Sequence, residues 1–304
     1  MSVNNSAGLE KSGIEVVNSG FHNTCTFCRS ERIFALGKIT YPEPTLFADT
    51  PINLINQPEL WECGDCLSRF VQHPVPEKEG TIFYSVKTSQ RWTSPLPFTQ
   101  RRTDSLVKLV NKHIRPGHHV LDIGCSTGAF LSFVKEKGCM TYGIESSAAA
   151  RAEASAAGHD CRASMDDFDK GVLFDAVFCF DVIEHVYSVK DFLDRFTSVL
   201  KPGGILFILT GDVRCWLSRK LGSRWWYVLY PEHISFPSYE FLNSLKQFSI
   251  IDTCRTFAFR HQEGHISRKI KDIVVKGIQK KYIGYASPFP DHLTVVLRKT
   301  EHPG

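Results

Sequence analysis

The sequence predicts a doubly wound, Rossmann-like α/β domain of seven strands with a small metal-stapled module ahead of it. Three observations carry that prediction. From about residue 119 to 298, short apolar runs alternate with stretches of helical apolar spacing, the order of elements that builds a mainly parallel sheet covered on both faces. One run, Val120-Leu-Asp-Ile-Gly-Cys-Ser-Thr-Gly128, ends in a carboxylate and breaks into a glycine turn that opens a helix. Upstream, Cys25-Thr-Phe-Cys28 and Cys63-Gly-Asp-Cys66 repeat a Cys-x-x-Cys pair with 34 residues between the knuckles.

Residues 1–20, rich in Ser, Asn, Gly and Glu with little periodicity, read as a flexible leader. Residues 21–80 combine scattered prolines, short apolar pieces and the four cysteines, too little core to fold without a staple. Residues 81–304 are assigned to the α/β domain. It starts with a connector to about residue 103, after which Leu106, Leu109, Val110 and Ile114 mark one face of a helix over 103–114. Strand 119–123 leads into helix 127–137, closed by Gly138, and strand 140–145 into helix 146–157, closed by Gly158. Strands near 160–164, 174–180, 204–210, 248–257 and 292–298 complete the seven, with helices near 188–200 and 238–246. The stretches 211–237 and 259–290 exceed ordinary loops and are expected over an acceptor side, because long insertions in compact domains tend to carry function.

The glycine turn restricts what can bind there. Gly124 and Gly128 permit close backbone approach and left-handed backbone angles, and Asp122 stands at the strand's carboxyl end. The full Gly-x-Gly-x-x-Gly pattern and the lysine of a phosphate-binding loop are missing, so a pyrophosphate or triphosphate has little to hold it. A compact, net-cationic nucleoside fits better. Met140-Thr-Tyr-Gly-Ile-Glu145 places a second acid at a strand end, 23 residues after Asp122, where it suits ribose hydroxyls. At these residues the chain resembles the class I S-adenosylmethionine-dependent methyltransferases, whose first motif, Asp-x-Gly-x-Gly-x-Gly, corresponds to Asp122–Gly128 with Ser126 in place of the middle glycine. The resemblance continues through Glu145 as the ribose acid, Ser164-Met165-Asp166-Asp167 as the adenine-flanking turn, Phe174–Asp181 as the fourth strand and Lys201-Pro202-Gly203-Gly204 as the turn into the fifth. It implies S-adenosylmethionine as cofactor, held by Asp122, Gly124, Cys125, Gly128, Glu145, Ser164, Met165 and Asp181. It also implies the strand order 3-2-1-4-5-7-6 with the last strand antiparallel.

Four thiolates close a tetrahedral shell around zinc, and each Cys-x-x-Cys turn presents two of them. Cys25, Cys28, Cys63 and Cys66 are therefore expected to bind one structural zinc. The other six of the ten cysteines include Cys125, read as a small apolar filler beside the turn; none is assigned a catalytic role. With 36 basic and 32 acidic residues, the net charge of +4 does not by itself imply nucleic acid. No apolar core follows a basic amino terminus, and runs such as Ile205–Leu209 are too short to cross a bilayer. A soluble, cytoplasmic protein is expected.

The acceptor side is read from two acid–histidine pairs. Asp181-Val-Ile-Glu184-His185 follows the fourth strand, and Glu232-His233 lies on the long insert. A histidine there can take a proton from a hydroxyl while an acid orients its ring. Together the pairs resemble ubiquinone-pathway O-methyltransferases and small-RNA terminal 2′-O-methyltransferases; the latter hold a divalent cation with Glu-x-x-Glu-His and a later histidine, which implies Glu184, His185 and His233 here, with Asp181 in place of the first Glu as a further oxygen ligand. The alternative is that Glu184 and His185 cap the helix and hydrogen-bond backbone. Trp216, Trp225, Trp226, Tyr227 and Tyr230, beside Arg214, Arg219 and Arg224, suit either a planar or sugar acceptor or a packed lid. Between Arg260 and Lys281, seven basic residues and the stripe Ile270, Ile273, Val274 and Ile278 suit a peripheral membrane contact or a solvated cover helix. The expected function is methyl transfer, foremost to a hydroxyl of a small metabolite, sugar or lipid-linked glycan. The alternatives are an RNA methyltransferase gripping its substrate with the zinc module, and a noncatalytic S-adenosylmethionine-binding protein.

Overall fold

The computed structural model describes residues 14–41, 45–86, 96–168, 171–257 and 289–300, together with 259, 270, 271 and 274. The amino-terminal part consists of short strands, β1 (Ile14–Val16), β2 (Ile33–Lys38), β3 (Thr45–Phe47), β4 (Thr50–Leu54), β5 (Glu59–Cys63) and β6 (Arg69–Gln72), then helices α1 (Glu77–Val86) and α2 (Phe98–Arg101). The α/β part continues with α3 (Asp104–His113), β7 (His119–Ile123), α4 (Ala129–Lys135), β8 (Met140–Ile144), α5 (Ala148–Ala156), β9 (Asp160–Arg162), β10 (Phe174–Phe180), α6 (Val189–Val199) and β11 (Leu200–Gly211). It closes with α7 (Trp216–Leu221), β12 (Ser235–Phe236), α8 (Tyr239–Asn243), β13 (Phe248–Thr256) and β14 (His292–Lys299).

Local chemistry sets these boundaries. Thr103, Ser147 and Ser238 cap α3, α5 and α8, each accepting a backbone N–H from three residues on. Gly128, at φ +84°, starts α4 later than the apolar spacing alone indicates. The third strand ends at Arg162, and the fifth begins at Leu200 rather than 204, so the Lys201–Gly204 segment lies within β11, beside a register shift in its pairing with β10.

The seven-stranded sheet runs β13-β14-β11-β10-β7-β8-β9. Numbered by appearance, that is the implied order 3-2-1-4-5-7-6 read from the other edge, and β14 is antiparallel to both β11 and β13. Ala176–Cys179 in β10 and Leu206–Leu209 in β11 are fully buried because helices cover both faces. One core layer holds Leu121, Val177, Leu193 and Phe196; the other holds Leu106, Val110, Phe130 and Phe178.

The amino-terminal strands form a three-stranded sheet, β1-β4-β3, and a four-stranded sheet, β12-β6-β5-β2. β12 comes from the 211–237 insert, so that stretch is part of the module's framework. Trp225, Trp226, Tyr227 and Tyr230 are buried, which decides for packing over an open stacking platform; Trp216 alone of the five is exposed. The module's core is also continuous with that of the α/β part: Cys25, Phe27, Cys63 and Phe70 share a cluster with Phe241 and Leu242 of α8. The Phe27 and Phe241 rings lie 5.1 Å apart. Among the described residues, no helix is long and apolar enough to cross a membrane. The leader as far as residue 13, and most of both the 259–290 stretch and the basic segment 260–281, lie outside the described residues. Of that segment's apolar stripe, Ile270 and Val274 are described and are exposed.

Candidate active site

The carboxyl ends of β7, β8, β9 and β10 form a cradle. The turn after β7 is held to β8 by Gly124 and Cys125 N–H groups that both donate to the Ile144 carbonyl, at 2.8 and 3.1 Å. Gly124 has φ +71°, and a Cβ there would stand 2.7 Å from Val182 Cγ2, so both the angle and the space require glycine. Ser126 occupies the position where the motif carries its middle glycine, and it keeps the left-handed angle, φ 49°, at a cost of about 1–2 kcal/mol. Gly128 packs against His159, whose ring is fixed by Thr141 Oγ1 at 2.8 Å and Ser132 Oγ at 3.1 Å.

Glu145, just past β8, accepts the Ser126 N–H at 2.9 Å and the Ser147 N–H at 2.8 Å. The second acid is thus tied directly to the glycine turn. Burial pushes the Asp122 carboxyl well above the usual carboxylate range, against the pull of the Arg102 guanidinium. A cationic ligand alongside would favour its ionised form. Ser164 opens a single 3₁₀ turn, Met165–Asp167, and its N–H is capped by Asp167 Oδ2 at 2.8 Å. Cys125 turns its side chain away from the turn, into a buried cluster with Leu131, Ala154 and Cys161, so only its main chain follows the cradle. The hydrogen bond with the Cys161 sulfur, and then burial, raise its thiol pKa, which keeps it protonated. These features fit a compact cationic nucleoside: S-adenosylmethionine would be held by the turn, Glu145, Asp122 and the 164–167 turn.

Asp181 follows β10 with a left-handed φ of 55°. Burial works to raise its pKa, but Arg102, donating to Oδ2 at 2.6 Å, and His292 outweigh that and hold it below the usual value. Its Oδ1 is buried with no hydrogen-bond partner among the described residues.

The two acid–histidine pairs, some 48 positions apart in the chain, do converge: one donor atom from each of Glu184, His185 and His233 lies within 4.8 Å of the others. Glu184 is fully buried, and its oxygens accept hydrogen bonds from the Tyr227 hydroxyl and, at 3.1 Å, from Thr210 Oγ1. Burial and the nearby Asp181 outweigh these donors and push its carboxyl up to about 8. It therefore does not act as a helix cap; Ser188 precedes α6. His233 Nδ1 lies 2.7 Å from the Tyr227 carbonyl and His185 Nδ1 2.9 Å from the Glu232 carbonyl. A carbonyl only accepts, so on His233 Nδ1 carries the proton and Nε2 is the basic nitrogen; His185 Nδ1 is shared between the Glu232 carbonyl and the Tyr84 hydroxyl. Burial lowers both histidine pKa values, His233 well below the ordinary value with His185 adding to the shift. Both rings are neutral near pH 7.

Several residues of this site have no local sequence signal. Tyr84 of α1 places its hydroxyl 2.8 Å from His185 Nδ1, across 101 positions in the chain. Glu232, read from sequence as the partner of His233, instead accepts the Ala48 N–H at 3.1 Å and ties the β3–β4 turn to the insert. Asp291 and His292, at the start of β14, are buried and paired at 2.9 Å, and Trp226 Nε1 donates to the other oxygen of Asp291. The aromatic density around Tyr227 is the one sequence signal close to the Asp291–His292 pair's partner Trp226.

In the amino-terminal module, the four cysteines have sulfurs within 4.8 Å of one another. Cys25–Cys66 and Cys28–Cys63 are each 3.6 Å apart, and the Phe27 and Asp65 N–H groups donate to Cys25 and Cys63 Sγ at 3.4 Å.

Comparison with known proteins agrees with this geometry. A family model described as a methyltransferase domain matches residues 97–247. A ubiquinone biosynthesis O-methyltransferase of Nitrobacter winogradskyi is 34% identical over 113 residues, 35% of this chain and 43% of that one. One from Bradyrhizobium sp. is 36% identical over 101 residues, 31% of this chain and 40% of that one. The matched regions thus span less than half the length of these relatives. A solved S-adenosylmethionine-dependent methyltransferase from Mesorhizobium loti is 18% identical, covering 63% of this chain and 96% of that one with a TM-score of 0.45. The chain belongs to the class I S-adenosylmethionine-dependent methyltransferases. The family match ends before β13 and β14, which belong to the same seven-stranded sheet.

Proposed function

We propose that the protein transfers a methyl group from S-adenosylmethionine to a hydroxyl of a small metabolite, sugar or lipid-linked glycan. The observation that carries this reading is the convergence of Glu184, His185 and His233 at the carboxyl edge of the sheet, beside the cradle. When bound, the cofactor supplies an electrophilic methyl on a sulfonium centre. The chain supplies position and a dry, polar wall. Buried neutral histidines with a basic ring nitrogen are suited to receive the acceptor's proton. The names of the two relatives support transfer to oxygen.

The same three donors favour a second version, in which they hold a divalent cation that lowers the hydroxyl's pKa. Anchoring of each Nδ1 on a carbonyl is the outer-shell arrangement that metal-binding histidines use. The versions separate by pH and chelation once an acceptor is in hand. With histidine as base, turnover falls only in acid, below the ordinary histidine value, and ignores chelator. With a cation, chelator abolishes turnover and apparent cation affinity rises through about pH 8, as Glu184 loses its proton. Either way, His233→Ala is expected to lower turnover about a hundredfold; near-normal turnover in both His185→Ala and His233→Ala overturns the assignment.

The module cysteines are proposed to hold one structural zinc. Their 3.6 Å sulfur pairs are close to the roughly 3.8 Å edge of a tetrahedron with Zn–S bonds of about 2.3 Å. Two of the module's basic side chains are already paired with acids, which argues against a phosphate-tracking role for them: Arg32 with Asp65 at 2.5 Å and Arg69 with Glu62 at 2.7 Å. A cytoplasmic location agrees with ten cysteines that form no disulfide.

A further inference from the structure

Two thiols beside the cofactor turn take no part in the functions above. Cys125 lies in the turn and Cys161 in the middle of β9, with their sulfurs 3.9 Å apart. They meet across β8 at Gly143, which is in register with Cys161. A Cβ at Gly143 would stand 2.5 Å from Cys125 Sγ and 2.9 Å from Cys161 Sγ, so the missing side chain is what lets both sulfurs share one space. Cys125 is buried, whereas Cys161 is only partly so, which makes Cys161 the member of the pair nearer to solvent.

We propose that Cys125 and Cys161 form a reversible oxidation site, whose disulfide closes the adjoining turn to S-adenosylmethionine. This rests on the reading of that turn as the cofactor cradle. A disulfide requires sulfurs about 2.05 Å apart, so the pair must approach by nearly half its present separation. Cys161 is held in the β8–β9 ladder, whereas Cys125 sits in a turn, so the turn is the part that gives. Any such shift acts on the Gly124 and Cys125 N–H bonds to Ile144 and on the Ser126 N–H bond to Glu145. Those bonds hold the glycine turn and the ribose acid in one frame.

The chemistry balances with a peroxide as oxidant. The Cys161 thiolate attacks a peroxide oxygen, breaking the O–O bond and giving a sulfenic acid and hydroxide. The Cys125 thiol then attacks the sulfenic sulfur; the S–S bond forms as hydroxide leaves, carrying the Cys125 proton away as water. Two thiols and one hydrogen peroxide yield one disulfide and two waters. The hydrogen bond from Cys125 lowers the Cys161 pKa, consistent with Cys161 as the attacking sulfur.

The test uses the reduced, metal-loaded full chain, titrated with S-adenosylhomocysteine before and after treatment with hydrogen peroxide. A non-reducing tryptic map identifies the sulfurs joined. The expected result is a peptide pair linking Cys125 to Cys161 and an affinity at least about tenfold weaker, both reversed by dithiothreitol. Cys161→Ser is expected to bind as the wild type does and to keep that affinity through peroxide, although its module cysteines are intact. Absence of the linked pair, a linked pair with unchanged affinity, or an equal loss in Cys161→Ser would each overturn the proposal. If the reduced protein binds no S-adenosylhomocysteine, the cradle reading fails with it, and the map alone reports whether the two sulfurs oxidise.

Discussion

Cys63→Ser is expected to bind less than half an equivalent of zinc, where the wild type binds about one, and to melt about 10 °C lower or more. Structural zinc supplies on the order of 10 kcal/mol to small domains. Loss of about half of that, at 2–4 °C per kcal/mol for a chain of this size, gives the shift. Cys63 is fully buried at the end of β5, its sulfur 3.6 Å from Cys28. The damage does not stay local. Cys66 O accepts a hydrogen bond from Ser238 Oγ, which also caps α8, and β6 pairs with β12, two residues after His233. The hydrogen bonds that hold the glycine turn to Ile144 and Glu145 involve no knuckle residue, so affinity for S-adenosylhomocysteine in the folded fraction is expected to change less than about threefold. Elemental analysis and differential scanning calorimetry check the result; a variant melting with the wild type would contradict a structural metal.

Glu145→Ala is expected to weaken S-adenosylhomocysteine binding by about 3–5 kcal/mol, two to three orders of magnitude or more. Hydrogen bonds to a charged group contribute about 1.5–3 kcal/mol each, and a ribose diol offers two. The substitution also leaves the Ser126 and Ser147 N–H groups without their present acceptor, which loosens the turn. Titration calorimetry reads the change. A Kd within threefold of the wild type would show that the ribose lies elsewhere.

The legible parts of this molecule are those encoded over short distances. The strand ending at Asp122, the glycine turn and Glu145 fall within one strand–helix–strand unit, and their spacing specifies both the cradle and its acids. The four cysteines are likewise two local turns. What the sequence leaves open comes from pairings with no periodic trace. Tyr84 reaches His185 across 101 positions and Arg102 reaches Asp181 across 79, each through a single side chain. The pairing of two-residue β12 with β6 has too short a run to show alternation, and it turns the aromatic insert from a candidate platform into packed core. His185 and His233 could be named individually, but their approach depends on the Glu232 and Tyr227 carbonyls, which no residue identity reveals.

The central claim is that the β7–β9 edge is an S-adenosylmethionine cradle, and its most direct test is a calorimetric titration of the reduced, metal-loaded wild type with S-adenosylhomocysteine. The account predicts saturable binding at one site per chain, weakened by Glu145→Ala. No binding up to about 1 mM ligand, a ceiling equivalent to only about 4 kcal/mol, would contradict it.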